Sequence, residues 1–136
     1  MGAPEEHFGL VIVGGGPAGQ KAAIQAAKEG RSVLVVEREP SVGGECVHRG
    51  TIPSKTLREC AAYLLGLRAR SEGAIEVSVA AQTKVASLMR RLKAVRVSHE
   101  GYLGAQLERN GITRWHGRAH FLSSQRLEVR LPDRST

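Results

Sequence analysis

Apolar and polar residues follow changing rhythms along this chain. Gly9 to Val13 (GLVIV) is a short, continuous apolar run, the pattern of a strand buried on both faces as in a parallel sheet. Gly14 to Gly19 (GGGPAG) follows at once. Gln20 to Gly30 (QKAAIQAAKEG) is then rich in alanine and closed by glycine, which predicts a helix with a glycine stop. Ser32 to Glu37 (SVLVVE) is a second buried run. The chain therefore opens as strand, turn, helix, strand.

After Pro53 the pattern is helical from Ser54 to Leu67, with Leu57, Ala61, Leu64 and Leu65 near one face. Arg70 to Ala80 is ambiguous and reads as a connection. A long helix is expected over about Gln82 to Arg109, where Val85, Leu88, Leu92, Val95, His99 and Tyr102 alternate three and four apart. That spacing suits a coiled coil, but it covers too few heptads and contains a histidine, so packing within the domain is expected instead. Gly101 and Gly104 weaken the helix end by about 1 kcal/mol each relative to alanine, and Asn110-Gly111 stops it. Ile112 to Leu122 and Arg126 to Leu131 show strand alternation and predict the start of a small antiparallel meander. Pro132 to Thr136 is a turn signal, which reads as a hairpin interrupted before its second strand. No internal repeat or low-complexity stretch is visible.

The length of 136 residues allows one domain with a real core. At 41% hydrophobic residues the chain should fold. The formal charge of +7 suits an anionic partner, yet no nucleic-acid-binding motif is present, and the run Arg90, Arg91, Lys93, Arg96 reads as a solvated helix face. Two cysteines, Cys46 and Cys60, make no disulfide framework. The first residues carry Glu5 and Glu6 in place of a basic, apolar leader, and no stretch approaches the roughly 18 apolar residues of a membrane span. A cytoplasmic protein with no nucleic-acid or membrane partner is expected.

Gly14, Gly16 and Gly19 form G-x-G-x-x-G between the first strand and the helix, with Pro17 and Ala18 at the helix's first turn and an acid, Glu37, at the end of the next strand. Each position has a task at a dinucleotide. Gly14 permits the tight turn, Gly16 lets backbone approach a pyrophosphate, and Gly19 lets helix and strand pack closely. The helix N-terminus offers unpaired N–H groups to phosphates, proline there costs little, and Glu37 can accept hydrogen bonds from ribose hydroxyls. The bland counterpart is a βαβ unit without ligand. The fingerprint alone does not separate FAD from NAD.

Four stretches taken in order, VIVGGGPAG, VVERE, VGGECVHRGTIPSK and HGRAHF, resemble the FAD-binding start of the pyridine nucleotide-disulfide oxidoreductases. In that family the third stretch reads G-G-x-C-x-x-x-x-C-x-P-S-K. Here Thr51 replaces the second cysteine, a variant similar to the family's soluble pyridine nucleotide transhydrogenase branch. The resemblance implies a Rossmann-type α/β fold and FAD as cofactor. It implies that Gly14, Gly16, Pro17, Ala18 and Gly19 hold the FAD pyrophosphate and that Glu37, with Arg38 beside it, binds the adenosine ribose. Gly43, Gly44 and Cys46 would run along the cofactor. Thr51 would stand where disulfide enzymes hold the flavin-facing cysteine, Lys55 would lie near the reactive end of the flavin, and Gly117 to Ala119 would meet the adenine end. Family members are several times longer, adding an NAD(P) domain and a dimerisation domain. The chain is therefore expected to be the N-terminal, partial FAD-binding domain of a homodimeric enzyme, inactive by itself.

Losing one sulfur breaks the electron relay from flavin to cysteine pair. Cys60 is a poor replacement: nine residues beyond Thr51 is roughly 13 Å along a helix, whereas a disulfide needs Cα atoms within about 7 Å. Cys60 reads instead as a small buried hydrophobe. Without the relay the resemblance implies hydride exchange between NAD(H) and NADP(H) through the flavin alone. A lipoamide dehydrogenase-like, thiol-linked reductase and a non-catalytic FAD-binding module are the alternatives. Cys46 with His48, and His116 with His120, complete no metal-ligand set, and two positions' separation gives no evidence that Cys46 and His48 form a nucleophile and base.

Overall fold

The computed structural model describes residues 5–70 and 81–132. Two compact units are present, one formed by residues up to Gly44 together with those from Glu100 onward, the other by Glu45–His99.

In the first unit, strand β1 (Leu10–Val13) leads through helix α1 (Pro17–Lys28) to strand β2 (Val33–Glu37). The two strands are parallel, with Leu10 opposite Val33 and Val13 opposite Val36. β2 is central, and Val33, Leu34, Val35 and Val36 are all buried, which is why its sequence is uninterrupted apolar residues. β1 is less covered than its sequence suggests: Leu10 is 38% and Val13 54% exposed. Among the described residues β1 pairs on one side only, at the sheet's edge.

Helix α1 begins with Pro17, where a missing N–H breaks no helical bond. It ends in a Schellman turn. Gly30 (φ 76°) donates its N–H to the Ala27 carbonyl, and Arg31 donates to Ala26, at 3.0 and 3.1 Å. The end of the long helix repeats this device. Gly111 (φ 67°) donates to Glu108 and Ile112 to Leu107, while the buried Leu107 and Ile112 supply the apolar contact that accompanies such turns. The core gathers Ala23, Val33, Val35, Val42, Leu107 and Ile112.

Strand β3 (Thr113–His116) departs from the expected meander. It runs parallel to β2, Leu34 opposite Thr113 and Glu37 opposite His116. Side-chain alternation reports only that one face is covered; it carries no information about strand direction. The antiparallel pair consists of β4 (Arg118–Phe121) and β5 (Leu127–Arg130), with Arg118 opposite Arg130. Phe8 meets Trp115 of β3 edge to face, ring centroids 6.1 Å apart.

The second unit holds α2 from Glu45 on (the helix spans Gly44–His48), α3 (Thr51–Arg70) and the first part of α4 (Ala81–Arg109). α3 starts three residues earlier than expected, because Pro53 sits within its first turn. Its expected apolar face is largely uncovered. Leu57, Ala61 and Leu65 are exposed and Leu64 half-buried. Along α4, Leu88, Leu92, Val95 and His99 are half-buried, whereas Val85 and Tyr102 are exposed. Arg90, Arg91 and Lys93 are exposed, and Arg96 is half-buried. The stretch 71–80, read as a connection, and the end of the turn signal lie outside the described residues. Among the described residues no helix is long and apolar enough to cross a membrane.

Candidate functional site

The glycine-rich turn joins β1 to α1 and is closed by the segment that follows β2. Gly14 has φ 103° and donates its N–H to the Val36 carbonyl at 2.8 Å, tying the turn to β2. Gly19 faces back onto the strand so closely that a Cβ there would lie 2.0 Å from the Gly14 carbonyl oxygen. This is the close helix–strand contact that the fingerprint's third glycine is expected to allow. Gly16 caps α1 in an extended conformation (φ −72°, ψ 179°), with no side-chain capping bond and no acid in the helix's first turn. A Cβ on Gly16 would meet nothing nearer than the Cα of Gly44 at 4.0 Å.

Gly43 and Gly44 bring a second piece of backbone against this turn. Gly43 donates its N–H to the Gly15 carbonyl at 2.9 Å. Gly44 has φ 59°, a region L side chains rarely adopt, and a Cβ there would stand 3.0 Å from the Gly16 Cα. Both glycines are required by backbone geometry within the first unit.

Glu37, half-buried at the end of β2, spends both carboxylate oxygens on backbone. Oε2 accepts the Gly15 N–H at 2.6 Å and Oε1 accepts the Glu39 N–H at 2.9 Å. Each oxygen carries two acceptor sites, so the carboxylate keeps capacity for further donors. Its backbone carbonyl accepts the Gly117 N–H at 2.8 Å, which brings the start of β4 to the end of β2. His116 Nε2 lies 3.1 Å from the Arg38 carbonyl, a contact in which the ring nitrogen must donate. His116 and His120 stand on separate strands, β3 and β4, rather than on a shared one.

Beside these residues opens a cavity of about 590 Å³ lined by Arg38, Glu39, Gly117, Arg118, His120 and Arg130, with Leu131 and Pro132. Three guanidinium groups against one carboxylate make it cationic. Ala119, half-buried on β4, is not among the lining residues.

The structure thus brings Gly14, Gly16, Pro17, Ala18, Gly19, Glu37, Arg38, Gly43, Gly44, Gly117 and Ala119 into one compact unit. Cys46, Thr51 and Lys55 belong to the other. Cys46 is half-buried on α2 with its thiol free, and Thr51 and Lys55 are exposed, one turn apart on α3 and so on one face. Cys60 is also free and only half-buried, less covered than a core position. Three residues at the turn escape the sequence pattern: Gly15, Gln20 and Val42. A Cβ on Gly15 would lie 2.7 Å from Val42 Cγ1, and Gln20, 5% exposed, donates Nε2–H to the Gly15 carbonyl at 2.7 Å. The only signals are the middle glycine of a run of three, for Gly15, and a polar residue on the inner face of an alanine-rich helix, for Gln20; Val42 has none.

A parallel βαβ unit with a glycine turn at its first crossover, closed by an acid at the end of the second strand, defines a dinucleotide-binding α/β protein. A family model described as FAD dependent oxidoreductase matches residues 9–113, and the chain belongs to that FAD-dependent family. It is 39% identical over 123 residues to a soluble pyridine nucleotide transhydrogenase of Mycobacterium bovis (strain BCG / Pasteur 1173P2), a match covering 90% of this chain and 26% of that protein. It is 35% identical over 127 residues to the soluble pyridine nucleotide transhydrogenase of Photorhabdus laumondii, covering 93% and 27%. Among solved structures, LpdA from Mycobacterium tuberculosis matches with a TM-score of 0.78 and 25% identity over 92% of this chain and 28% of that one. The chain spans about a quarter of the length of the curated relatives it matches.

Proposed function

We propose that residues 1–136 form the FAD-binding part of a longer cytoplasmic, homodimeric flavoenzyme that exchanges hydride between NADP(H) and NAD(H). The observation that carries this reading is Thr51 at the second cysteine position of an otherwise intact motif, in a chain whose similar curated relatives are soluble pyridine nucleotide transhydrogenases. Their activity and substrates come to this chain as part of the proposal.

The residues fit the cofactor. Nothing in the chain's own packing demands glycine at position 16, since a Cβ there has 4.0 Å of room; close approach by a ligand supplies the reason. α1 offers its first-turn N–H groups without a capping side chain or an acid in its own first turn, the arrangement that favours an external phosphate. Gly14, Gly16, Pro17, Ala18 and Gly19 would hold the pyrophosphate. Glu37, Arg38, Gly117 and Ala119 would hold the adenosine end, with Gly43 and Gly44 shaping the adjoining wall. When bound, FAD supplies hydride acceptance and donation. Cys46 and Thr51 would line the cofactor without forming a disulfide, since threonine has no redox-active sulfur. Lys55 would contribute a positive charge that favours an anionic reduced ring.

The test is anaerobic reductive titration of the full-length protein. One two-electron equivalent per flavin, with no long-wavelength thiolate-to-flavin absorbance, is expected. A second two-electron equivalent and that band would establish a dithiol relay and overturn the reading in favour of a thiol-linked reductase.

A further inference from the structure

We propose that Gln20 is a positioning residue for the cofactor: it sets the orientation of the Gly15–Gly16 peptide and thereby the donor that the glycine turn presents. The inference rests on the reading that the FAD pyrophosphate is bound at this turn.

A glutamine is an unusual choice at this position. It is buried on the face of α1 that also buries Ala23, where an apolar side chain would serve packing better. Its amide is not idle, for Nε2–H donates to the Gly15 carbonyl at 2.7 Å in a buried setting. The same carbonyl accepts the Gly43 N–H at 2.9 Å. On the other side of the residue, the Gly15 N–H is held by Glu37 Oε2 at 2.6 Å, and Val42 Cγ1 closes the space where a Cβ would be. Three elements thus converge on one glycine.

The consequence follows from peptide geometry. No cis peptide is present among the described residues, and in a planar trans peptide the C=O and the following N–H point in opposite directions. A Gly15 carbonyl aimed at Gln20 and Gly43 leaves the Gly16 N–H aimed away from them. Among the described residues that N–H has no acceptor. Three consecutive glycines make the alternative accessible, because glycine populates positive and negative φ about equally. A flipped peptide would present a carbonyl oxygen where the phosphates need a donor. Gln20 holds the donor-out state by adding a second bond to the carbonyl that must stay in.

The experiment uses the full-length flavoprotein, stripped of FAD and titrated with FAD by flavin fluorescence, in wild type, Gln20→Met and Gln20→Glu. Gln20→Met preserves volume and removes the donor; its FAD dissociation constant is expected to rise about tenfold, the change that one net hydrogen bond produces. Gln20→Glu adds a diagnostic that loss of packing would not show. An ionised carboxylate cannot donate to the Gly15 carbonyl, but a protonated one can, and burial lifts a carboxyl's pKa. The affinity of Gln20→Glu relative to wild type should therefore be low near pH 8 and recover as pH falls toward about 5. Among the described residues the other titratable group at this turn is Glu37; its carboxylate disfavours ionising a second carboxyl at position 20, which acts in the same direction as burial. Wild-type affinity in Gln20→Met would overturn the inference. So would a Gln20→Glu ratio flat with pH, which also decides the matter should Gln20→Met fail to fold. Failure of the underlying reading looks different: wild type would not bind FAD, or Gly16→Val would bind it as tightly as wild type.

Discussion

Replacing Gly19 by alanine sets two known tendencies against each other. In an unconstrained helix the change gains about 1 kcal/mol. At Gly19 the added Cβ lies 2.0 Å from the Gly14 carbonyl oxygen and 3.2 Å from Ile12 Cγ2. Cβ atoms essentially never approach another atom closer than 3.0 Å, so α1 and the turn must separate by about 1 Å. The obstacle is backbone, which cannot swing aside as a side-chain tip can. Overpacking of this kind costs about 1–3 kcal/mol or more, and a contact between two backbones belongs at the upper end. The expected net is about 2 kcal/mol of destabilisation, a fall in Tm of about 7 °C for a domain of this size, accompanied by weaker FAD binding. Thermal unfolding by circular dichroism, with FAD release followed by fluorescence, measures both. Gly101→Ala is the internal control: it sits in α4, where a Cβ meets nothing within 4 Å, and it should stabilise by up to about 1 kcal/mol. If Gly19→Ala matched Gly101→Ala in Tm and retained FAD, the close helix–strand contact would not be what position 19 requires.

Glu37→Gln keeps the shape but turns one of two acceptors into a donor facing a backbone N–H; loss of a charged hydrogen bond of about 1.5–3 kcal/mol is expected, read as lower stability and a higher FAD dissociation constant. Leu107→Ala removes a side chain with 0% exposure from the core and should cost about 2–5 kcal/mol by denaturant unfolding, with any residual folded protein still binding FAD. Thr51→Cys in the full-length protein restores the family's cysteine pair and is expected to add one two-electron equivalent per flavin in reductive titration; unchanged uptake would show that Cys46 is not placed to pair with position 51.

Local physics made the first third of the fold legible. An uninterrupted apolar run ending in Glu37, an alanine-rich helix entered through proline, and glycines that close helices in Schellman turns are written in residues a few positions apart, so periodicity and backbone preference suffice to find them. Gly14 and Gly19 could be assigned tasks from sequence because those tasks concern φ and close approach within one βαβ unit. Pattern failed where the answer depended on a distant partner. β3 shows the alternation of a half-covered strand, yet its pairing with β2 brings Thr113 opposite Leu34, far away in the chain. β1 has the composition of a central strand and, among the described residues, sits at an edge. The apolar residues Leu57, Ala61, Leu64 and Leu65 fall near one face of α3, and that face is largely uncovered. Periodicity names a face; it does not supply the surface that covers it. The glycine turn divides the same way. Its glycines and the acid at the end of β2 are sequence features, but only folding delivers Gln20, Gly43 and Glu37 to the two ends of Gly15, because hydrogen bonds across separations of 5, 22 and 28 residues exist once helix and strand have packed and not before.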